Sequence, residues 1–442
     1  MRFSTSEVAA ATGGELFGRD TEIDGATIDS RRIVPGQLFV PIVAERDGHD
    51  FISAAIRSGA DAYLTSGPIE AGTAIRVADT AAALTALGSR ARDELGPRVV
   101  GVTGSVGKTS LKDLLAAASA TTWPTTASVG SFNNELGVPL TLVNAPDGTT
   151  CTIVEMGARG RGHIAALCET ARPTVAVVTV VAGVHLEAFG SIDDVAAGKA
   201  ELPASLPADG TAVLNADDDR VAAMASVTRA TVLTFGTEGR GEVRASGVVL
   251  DAQLRPSFDL HSPWGNVAIR LAVAGRHQVT NALGAAAAAM AMGATPDAVA
   301  EGLAAARLSA MRMDLRTAPP GFRVLDDSYN ANPTSMRAAI DALAGLEASG
   351  RRIAVLGTMH ELGADRDAAH REIARYAAAA GIAVVSVAEP AYEVAGEDAV
   401  GTPAIAVERL GSLALGPDDV VLVKASRAAG LEAVVAALHA PA

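Results

Sequence analysis

The chain has 442 residues, of which 49% are hydrophobic, 19% charged and 3% aromatic, and its formal net charge is −14. Its length suggests roughly two to four domains, and its composition excludes a disordered acidic tail, a collagen-like repeat and a small disulfide scaffold. The acidic balance argues against a non-specific nucleic-acid binder, because the overall field opposes phosphate binding. Four of the 36 basic residues are lysine: Lys108, Lys112, Lys199 and Lys424. Since an ammonium group can do what a guanidinium cannot, these lysines are candidate functional residues.

The first 97 residues favour a small α/β domain. Apolar runs at 37–43 and 60–65 alternate with turn signals and with a helix-like segment at 50–58. From residue 98 the pattern changes, and the next boundary falls near residue 310. These two changes predict three domains, at 1–97, 98–310 and 311–442.

The second segment alternates strands with helices. Apolar, β-branched runs predict strands at 99–103, 152–156 and 174–181, and a helix is predicted at 109–120. Residues 243–273 alternate apolar with polar positions, which predicts an antiparallel excursion. A further helix is predicted over the Ala-rich stretch 281–292.

The third segment repeats the strand–helix alternation. The predicted strands are 322–325, 352–356, 382–387 and 420–423, and the predicted helices are 334–346, 366–380 and 431–438. The predicted fold is therefore α/β throughout, with a small N-terminal α/β domain, a central domain built on a parallel sheet, and a Rossmann-like C-terminal domain.

No segment predicts export or membrane insertion. Residues 1–11 lack the apolar core of a secretory signal, and the apolar run at 174–184 is shorter than the ~20 residues that span a bilayer. Cys151 and Cys168 have neither CxxC nor metal-ligand spacing, which favours two core positions in a reducing compartment. We therefore expect a cytoplasmic protein.

The sharpest local signal is the stretch Gly101-Val-Thr-Gly-Ser-Val-Gly-Lys-Thr-Ser110. A buried strand enters a glycine-rich turn, and Lys and Thr follow at the head of a helix, which is typical of a nucleotide phosphate-binding loop. The motif is the shorter Gly-x-x-Gly-Lys-Thr, since position 102 is valine. An ordinary strand–helix turn is the alternative. The motif predicts that the central segment is a P-loop ATPase domain. The candidate nucleotide ligands are Gly104, Ser105, Gly107, Lys108, Thr109 and Ser110.

Two further side chains follow predicted strands where metal ligands would be useful. Glu155 lies at the end of strand 152–156, and His185 follows strand 174–181. Ligands bind at the carboxyl ends of strands in open α/β sheets, although either residue alone is more often structural. Lys199 lies 14 residues after His185.

Several separate segments, in order along the chain, resemble the Mur ligase family. They are Thr103-Gly-Ser-Val-Gly-Lys-Thr-Ser110, Ser131-Phe-Asn-Asn-Glu-Leu-Gly-Val-Pro139, Val154-Glu-Met-Gly157, His185-Leu-Glu-Ala-Phe-Gly-Ser191, Gly275-Arg-His-Gln-Val-Thr-Asn281 and Asp326-Asp-Ser-Tyr-Asn-Ala-Asn-Pro-Thr-Ser-Met336. The Ser-Tyr-Asn-Ala-Asn-Pro segment, with Asp29-Ser-Arg31, is similar to the branch that joins D-Ala-D-Ala to UDP-N-acetylmuramoyl-tripeptide.

This resemblance implies an ATP-dependent amide ligase. Such enzymes phosphorylate a substrate carboxylate, and an incoming amine then attacks the acyl phosphate. By similarity, Thr109, Glu155 and His185 would bind Mg²⁺. Lys199 matches a lysine that CO₂ carbamylates in this family, and it would help to hold or orient the metal as an anion. Catalytic roles would then fall to Lys108, Lys199 and His185.

The resemblance also implies the remaining contacts. His277 and Asn281 would lie near the adenine, although Gln278 stands where relatives often have asparagine. The other assignments come from all three domains. Arg312 and Asp327 would reach the ATP phosphates and ribose once the domains close, and Asp29, Ser30 and Arg31 would contact the uridine diphosphate. Asn133 and Asn134 would line the peptide–ATP junction, and Lys424, Ser426 and Arg427 would face the incoming dipeptide.

Three alternatives remain at this point. The chain could be a sister ligase adding the third peptide residue, a folylpolyglutamate-type ligase, or a nucleotide-binding NTPase without ligase chemistry. A simple NTPase would hydrolyse ATP without either ligase substrate, whereas a ligase would need both. We expect a monomer, with no nucleic-acid partner.

Overall fold

The computed structural model describes residues 1–183, 186–237, 239–319 and 321–440. Each main sheet takes its strands from one of the three predicted segments, and the α/β fold class is confirmed. The boundaries at residues 97 and 310 stay predictions.

The N-terminal segment forms a two-stranded antiparallel pair, β1–β3, and a five-stranded sheet in the order β2-β7-β6-β5-β4. All neighbours in the five-stranded sheet are parallel except β2 and β7. The elements are β1 (Arg2–Ser4), α1 (Thr5–Thr12), β2 (Glu15–Phe17), β3 (Glu22–Asp24), β4 (Ala26–Thr27), β5 (Leu38–Phe39), α2 (Ile52–Arg57), β6 (Ala62–Thr65), β7 (Thr73–Arg76) and α3 (Thr80–Glu94).

The central segment forms a nine-stranded sheet in the order β16-β15-β14-β13-β12-β11-β8-β10-β9. The strands from β13 to β9 run parallel, while β14, β15 and β16 form the predicted antiparallel excursion. The elements are β8 (Arg98–Thr103), α4 (Lys108–Ala120), β9 (Thr125–Ala127), α5 (Gly137–Val143), β10 (Cys151–Glu155), α6 (His163–Ala171), β11 (Val175–Val178), α7 (Leu186–Phe189), α8 (Ile192–Ala204), β12 (Thr211–Asn215), α9 (Asp219–Ala223), β13 (Thr231–Gly236), β14 (Val243–Leu250), β15 (Pro256–Ser262), β16 (Gly265–Arg270), α10 (Gln278–Ala291) and α11 (Pro296–Ala305).

The C-terminal segment forms a six-stranded sheet in the order β17-β18-β22-β19-β20-β21, parallel apart from the β17–β18 pair. The elements are β17 (Asp314–Thr317), β18 (Arg323–Asp326), α12 (Pro333–Gly345), β19 (Arg352–Leu356), α13 (Arg366–Ala379), β20 (Ala383–Val387), β21 (Ala399–Val400), α14 (Pro403–Ser412), β22 (Val420–Lys424) and α15 (Glu432–Leu438).

The N-terminal and central segments share a hydrophobic core. Leu84 and Leu87 of α3 belong to the same buried cluster as Val138 and Leu142 of α5. Gly88 lets the two helices approach closely, because a Cβ atom there would lie 2.7 Å from the Pro139 side chain. The N-terminal segment is therefore joined to the central segment by a buried contact between α3 and α5.

Helix starts in this fold are fixed by local side chains. Asp79 accepts hydrogen bonds from two amides in the first turn of α3. Asn332 accepts one, from the amide of Ser335, at the start of α12, where Pro333 occupies the first helical position. In the described ranges, no helix is both long and apolar enough to cross a membrane.

Candidate active site

The phosphate-binding loop joins β8 to α4, as its sequence predicts. Gly104 has a φ of +148°, and a Cβ atom there would lie 1.8 Å from the Thr179 hydroxyl. Gly107 has a φ of +86°, and a Cβ atom there would lie 2.6 Å from the Asn281 amide oxygen. Both positions therefore require glycine, and the turn leaves the N-terminus of α4 open toward an anion.

Lys108 folds back over the loop. Its Nζ donates to the carbonyl oxygen of Gly104 at 2.6 Å and lies 3.4 Å from that of Ser105. Burial lowers the pKa of Lys108; the Glu155 carboxylate opposes this shift, and the Arg312 guanidinium adds to it. A nucleotide phosphate would supply the anionic partner that this ammonium lacks.

The Ser105 hydroxyl is hydrogen-bonded within the protein and holds the phosphate loop in place. Its Oγ donates to the carbonyl oxygen of Ala182 and accepts from the amide of Ala182, each at 2.9 Å. These bonds tie the phosphate loop to the segment that follows β11. Ser110, also predicted to bind the nucleotide, is buried in the first turn of α4.

A hydroxyl and a carboxylate meet beside the loop. Thr109 Oγ1 donates to Glu155 Oε2 at 2.7 Å, and Asn133 Nδ2 donates to Glu155 Oε1 at 2.8 Å. Glu155, at the carboxyl end of β10, is 1% exposed. Asn134 does not join this cluster, since its Oδ1 accepts from the amide of Gly137 and caps the start of α5.

Lys112 has a structural role that no motif in the sequence predicts. It is 2% exposed, and its Nζ donates to the carbonyl oxygens of Ser128 at 2.6 Å and Gly130 at 3.2 Å. It also pairs with Asp113 at 2.7 Å. Ser128 Oγ in turn accepts from the amide of Glu155 at 3.1 Å, so Lys112 holds the segment beneath the Thr109–Glu155 pair.

The C-terminal segment reaches the phosphate loop through Arg312. Its Nη2 donates to Thr109 Oγ1 at 2.9 Å, and its guanidinium carbon lies 4.4 Å from the centre of the Tyr329 ring. The Tyr329 and Ser131 hydroxyls are hydrogen-bonded across the same interface. Arg312 Nε is buried without a hydrogen-bond partner among the described residues. Thus the carboxyl edges of the central and C-terminal sheets face each other here.

The predicted adenine contacts form a chain of side chains at the start of α10. Gln278 Nε2 donates to His277 Nε2 at 3.0 Å, and Gln278 Oε1 accepts from Asn281 Nδ2 at 2.8 Å. Burial lowers the pKa of His277, with Asp327 opposing the shift and Lys424 adding to it. Gln278 therefore links the side chains of the two predicted adenine contacts. The amide oxygen of Asn281 also lies against Gly107 of the phosphate loop.

Lys199 lies on α8 and is 2% exposed. Burial, together with the nearby positive charge of Lys108, holds the pKa of its amine well below the ordinary range. This shift favours the neutral, nucleophilic form of the amine. His185 lies outside the described residues, so its predicted metal role stays a prediction.

Lys424 and Asp327 form a buried pair. Lys424 Nζ lies 2.5 Å from Asp327 Oδ2 and donates to the carbonyl oxygen of Asn330 at 2.8 Å. The two residues come from the adjacent strand ends of β22 and β18. Ser426 is buried nearby, and Arg427 is exposed and paired with Glu432 at 2.9 Å. Lys424, a predicted dipeptide contact, is thus paired with Asp327, a predicted ATP contact.

The predicted uridine contacts stand apart from this cluster. Asp29 and Ser30 follow β4 in the N-terminal sheet, and the Arg31 guanidinium binds Asp29 with Nε at 2.8 Å and Nη2 at 2.9 Å. This pairing lowers the pKa of Asp29. Within the described residues, these three side chains make no hydrogen bond to the phosphate-loop cluster.

The chain is similar to known proteins along most of its length. Two family models match, the Mur ligase middle domain over residues 102–289 and the Mur ligase, glutamate ligase domain over residues 311–427. The UDP-N-acetylmuramoyl-tripeptide–D-alanyl-D-alanine ligase of Mycobacterium tuberculosis is 42% identical, over 93% of this chain and 91% of that relative.

Solved structures match over the same extent. A crystal structure of MurF from Acinetobacter baumannii is similar with a TM-score of 0.87 and 31% identity, covering 99% of both chains. MurF ligase from Thermotoga maritima, solved in complex with ADP, is similar with a TM-score of 0.80 and 28% identity, covering 94% of this chain and 97% of that one.

Proposed function

Because the chain belongs to the Mur ligase family, among the UDP-N-acetylmuramoyl-tripeptide–D-alanyl-D-alanine ligases, we propose that it uses ATP to join D-Ala-D-Ala to UDP-N-acetylmuramoyl-tripeptide in peptidoglycan precursor synthesis. The observation that carries this proposal is the meeting of Thr109, Glu155 and Arg312. A hydroxyl, a carboxylate and a cation from two sheets converge where phosphoryl transfer would need them.

ATP fits the phosphate loop through its phosphates. The open N-terminus of α4 and the Lys108 ammonium favour an anion, and Arg312 supplies a second cation from the opposing sheet. Asn281 lies next to Gly107 in the first turn of α10, and His277 is linked to it through Gln278, so both could contact the base. The MurF ligase from Thermotoga maritima was solved in complex with ADP, which supports the use of ATP by this chain.

Mg²⁺ fits the donor set beside the loop. Thr109 and Glu155 offer hydroxyl and carboxylate oxygens, the ligands that this hard cation prefers. No three His, Cys, Asp or Glu side chains gather into a metal site among the described residues. We therefore assign Mg²⁺ to Thr109, Glu155 and ATP phosphates, with His185 as a further candidate ligand. The cation would offset the charge that accumulates on the transferring phosphate.

The reaction proceeds in two transfers. The tripeptide carboxylate attacks the γ-phosphorus of ATP, which forms an acyl phosphate and releases ADP. The amine of D-Ala-D-Ala then attacks the acyl carbon, loses a proton and expels phosphate. Lys108 and Arg312 hold the phosphate oxygens in line, and Asn133 orients Glu155. Closure of the two sheet edges around these groups excludes water, which would otherwise hydrolyse the acyl phosphate.

We assign a carbamate to Lys199. A neutral lysine amine attacks CO₂, forms a C–N bond and releases a proton, so a depressed amine pKa favours the reaction. The product is an anion in a position that arginine could not supply. Replacing Lys199 with alanine should abolish ligation, with partial recovery on adding short-chain carboxylates. Growth of the wild type in ¹³C-bicarbonate should give one protected carbamate carbon signal that Lys199→Ala lacks.

The substrate ends extend away from this centre. Asp29, Ser30 and Arg31 are proposed to bind the uridine diphosphate, and Asn134 to line the peptide path. Lys424, Ser426 and Arg427 are proposed to line the dipeptide site, with Lys424 acting through its bond to Asp327. The enzyme is proposed to act as a monomer in the cytoplasm, where its two buried free cysteines stay reduced.

The decisive experiment measures phosphate release and product mass with each substrate omitted in turn. We expect release to require ATP, UDP-N-acetylmuramoyl-tripeptide and D-Ala-D-Ala together. N-acetyl-D-Ala-D-Ala is a matched control, because it keeps the carboxylate and lacks the nucleophilic amine. Full-rate release without the peptide substrates would instead identify a simple NTPase. Tripeptides ending in lysine or in a diamino acid would then define the third residue.

A further inference from the structure

His370 is a fully buried histidine outside the site described above. It lies on α13, and both ring nitrogens are bonded: Nδ1 lies 2.7 Å from the carbonyl oxygen of Arg366, and the amide of Met359 lies 2.8 Å from Nε2. A carbonyl accepts only and an amide N–H donates only. The ring is therefore neutral, with its proton on Nδ1 and with the Nε2 lone pair accepting from the Met359 amide.

The Met359 amide belongs to the 357–363 loop, which follows β19 at the carboxyl edge of the C-terminal sheet. The loop includes a non-glycine residue in the left-handed region, Glu361 with a φ of +64°, and Gly363 has a φ of +60°. Left-handed backbone at a residue with a side chain is strained and persists where surrounding contacts over-determine it. The contacts of this loop therefore decide its shape.

Those contacts join the candidate dipeptide site to the central segment. The amide of His360 donates to Ser426 Oγ at 2.9 Å, and the amide of Gly363 donates to Glu187 Oε1 at 3.2 Å. At the start of the loop, the Tyr392 hydroxyl donates to the carbonyl oxygen of Gly357 at 2.9 Å. His370 supplies the support between these points, at the residue directly before His360.

We propose that His370 is a positioning residue for the amine substrate: its Nε2 fixes the Met359 amide, so that the 357–363 loop holds Ser426 toward the incoming dipeptide. The inference rests on the proposed ligase function. His370 touches no substrate in this scheme and acts through the loop.

The surroundings of His370 favour the neutral ring. Burial lowers its pKa, the bond to the Arg366 carbonyl and the charge of Glu389 oppose that shift, and the Arg366 guanidinium adds to it. Glu389 Oε2 lies 3.4 Å from Nε2 but is paired with Arg366. Asp367 acts weakly in the same direction as Glu389, and the Tyr392 ring packs edge-on with its centre 5.0 Å from that of the imidazole.

Two near-isosteric variants distinguish the role of Nε2 from that of Nδ1. His370→Gln places an amide oxygen near Nε2 and keeps an acceptor for Met359, whereas His370→Asn places its amide near Nδ1 and leaves the buried Met359 N–H unpaired. An unpaired buried donor is expected to raise the KM for D-Ala-D-Ala about tenfold or more in His370→Asn. His370→Gln should stay within about threefold of wild type, and the KM for ATP should change little in either variant.

Equal effects in the two variants, or a parallel rise in the KM for all three substrates, would overturn the inference. A second measurement does not depend on the activity of the enzyme or of its variants. In ¹⁵N-histidine-labelled wild type at neutral pH, the signal that His370→Gln removes should show an unprotonated Nε2 and a protonated Nδ1. A protonated Nε2 would also overturn the inference. Failure of wild-type ligation with this tautomer present would count against the proposed function alone.

Discussion

Replacing Lys112 with methionine should destabilise the central segment far more than the same change at Lys108, one helical turn away. Methionine keeps the volume of the side chain but removes the buried ammonium, so the carbonyls of Ser128 and Gly130 and the Asp113 carboxylate lose their shared partner. Asp113 keeps one partner, the amide of Ser309 at 2.7 Å.

The cost follows from those contacts. Breaking a buried ion pair by removing one partner typically costs about 3–5 kcal/mol, and the remaining bond to Asp113 places this case near the lower end, at about 3 kcal/mol. For a domain of about 200 residues, this corresponds to a fall of roughly 6–12 °C in melting temperature. The KM for MgATP should rise as well, because Ser128 Oγ also holds the amide of Glu155.

Calorimetry and nucleotide-dependent kinetics on the two variants test this reasoning. Lys108→Met should lose ligation but change the free energy of unfolding by only about 1 kcal/mol or less. The reason is that burial already lowers the pKa of Lys108, which means that the folded protein without nucleotide disfavours its charge. A Lys112→Met protein melting within 2–3 °C of wild type, roughly 1 kcal/mol or less, would refute the structural role.

Three further outcomes are expected. Asp419→Asn should lower the melting temperature at pH 7 by removing the carboxylate that Arg351 binds. Since this pairing depresses the pKa of Asp419, the stabilisation is fully present above the ordinary carboxyl pKa of about 4 and is lost progressively as pH falls toward the depressed pKa, so the difference between wild type and variant should narrow steadily below pH 4 in pH-dependent melts. Gly88→Ala should lower the melting temperature, because its Cβ would lie 2.7 Å from Pro139, whereas a solvent-facing helix would gain up to about 1 kcal/mol from the same change. Arg312→Leu should reduce kcat at least about 100-fold, as measured by phosphate release, while folding normally in circular dichroism.

Local sequence signals predicted the elements that local chemistry determines. The strand predicted at 99–103 is Arg98–Thr103, and the helix predicted at 109–120 is Lys108–Ala120. Apolar β-branched runs and the glycines of the phosphate loop set these ends. The antiparallel excursion at 243–273 is likewise confirmed by β14, β15 and β16, because alternation of apolar and polar residues follows directly from a half-exposed sheet.

Helix α5 shows why other elements were missed. Its sequence, from Gly137 to Val143, contains glycine, proline and β-branched residues, which are weak helix formers. All seven residues are buried, and α5 packs against α3 and the central sheet. Tertiary packing therefore outweighs local preference here, and no pattern within the segment itself could predict a helix.

The lysines show the same limit for the site. The role of Lys108 follows from its neighbours in the chain, so the motif predicts it. Lys112 instead binds carbonyl groups 16 and 18 residues later, and Lys424 binds Asp327, 97 residues earlier. Main-chain carbonyls carry no sequence signature, and the Lys424–Asp327 pair exists because β18 and β22 are neighbours in the sheet.

The acidic balance of the chain is compatible with two polyanionic substrates because the relevant fields are local. Salt screens exposed charges over about 10 Å at 0.1 M ionic strength, so most of the net charge of −14 has little effect inside the cleft. In the proposed site, Lys108 and Arg312 would bind phosphate at contact distance, next to the N-terminus of α4 and in a poorly hydrated environment that strengthens this attraction. We propose that the same burial serves Lys199: it lowers the pKa of the amine, which favours the neutral form that can react with CO₂ and give an anion. In this scheme burial acts on both the cationic and the anionic side of the site, independently of the overall charge.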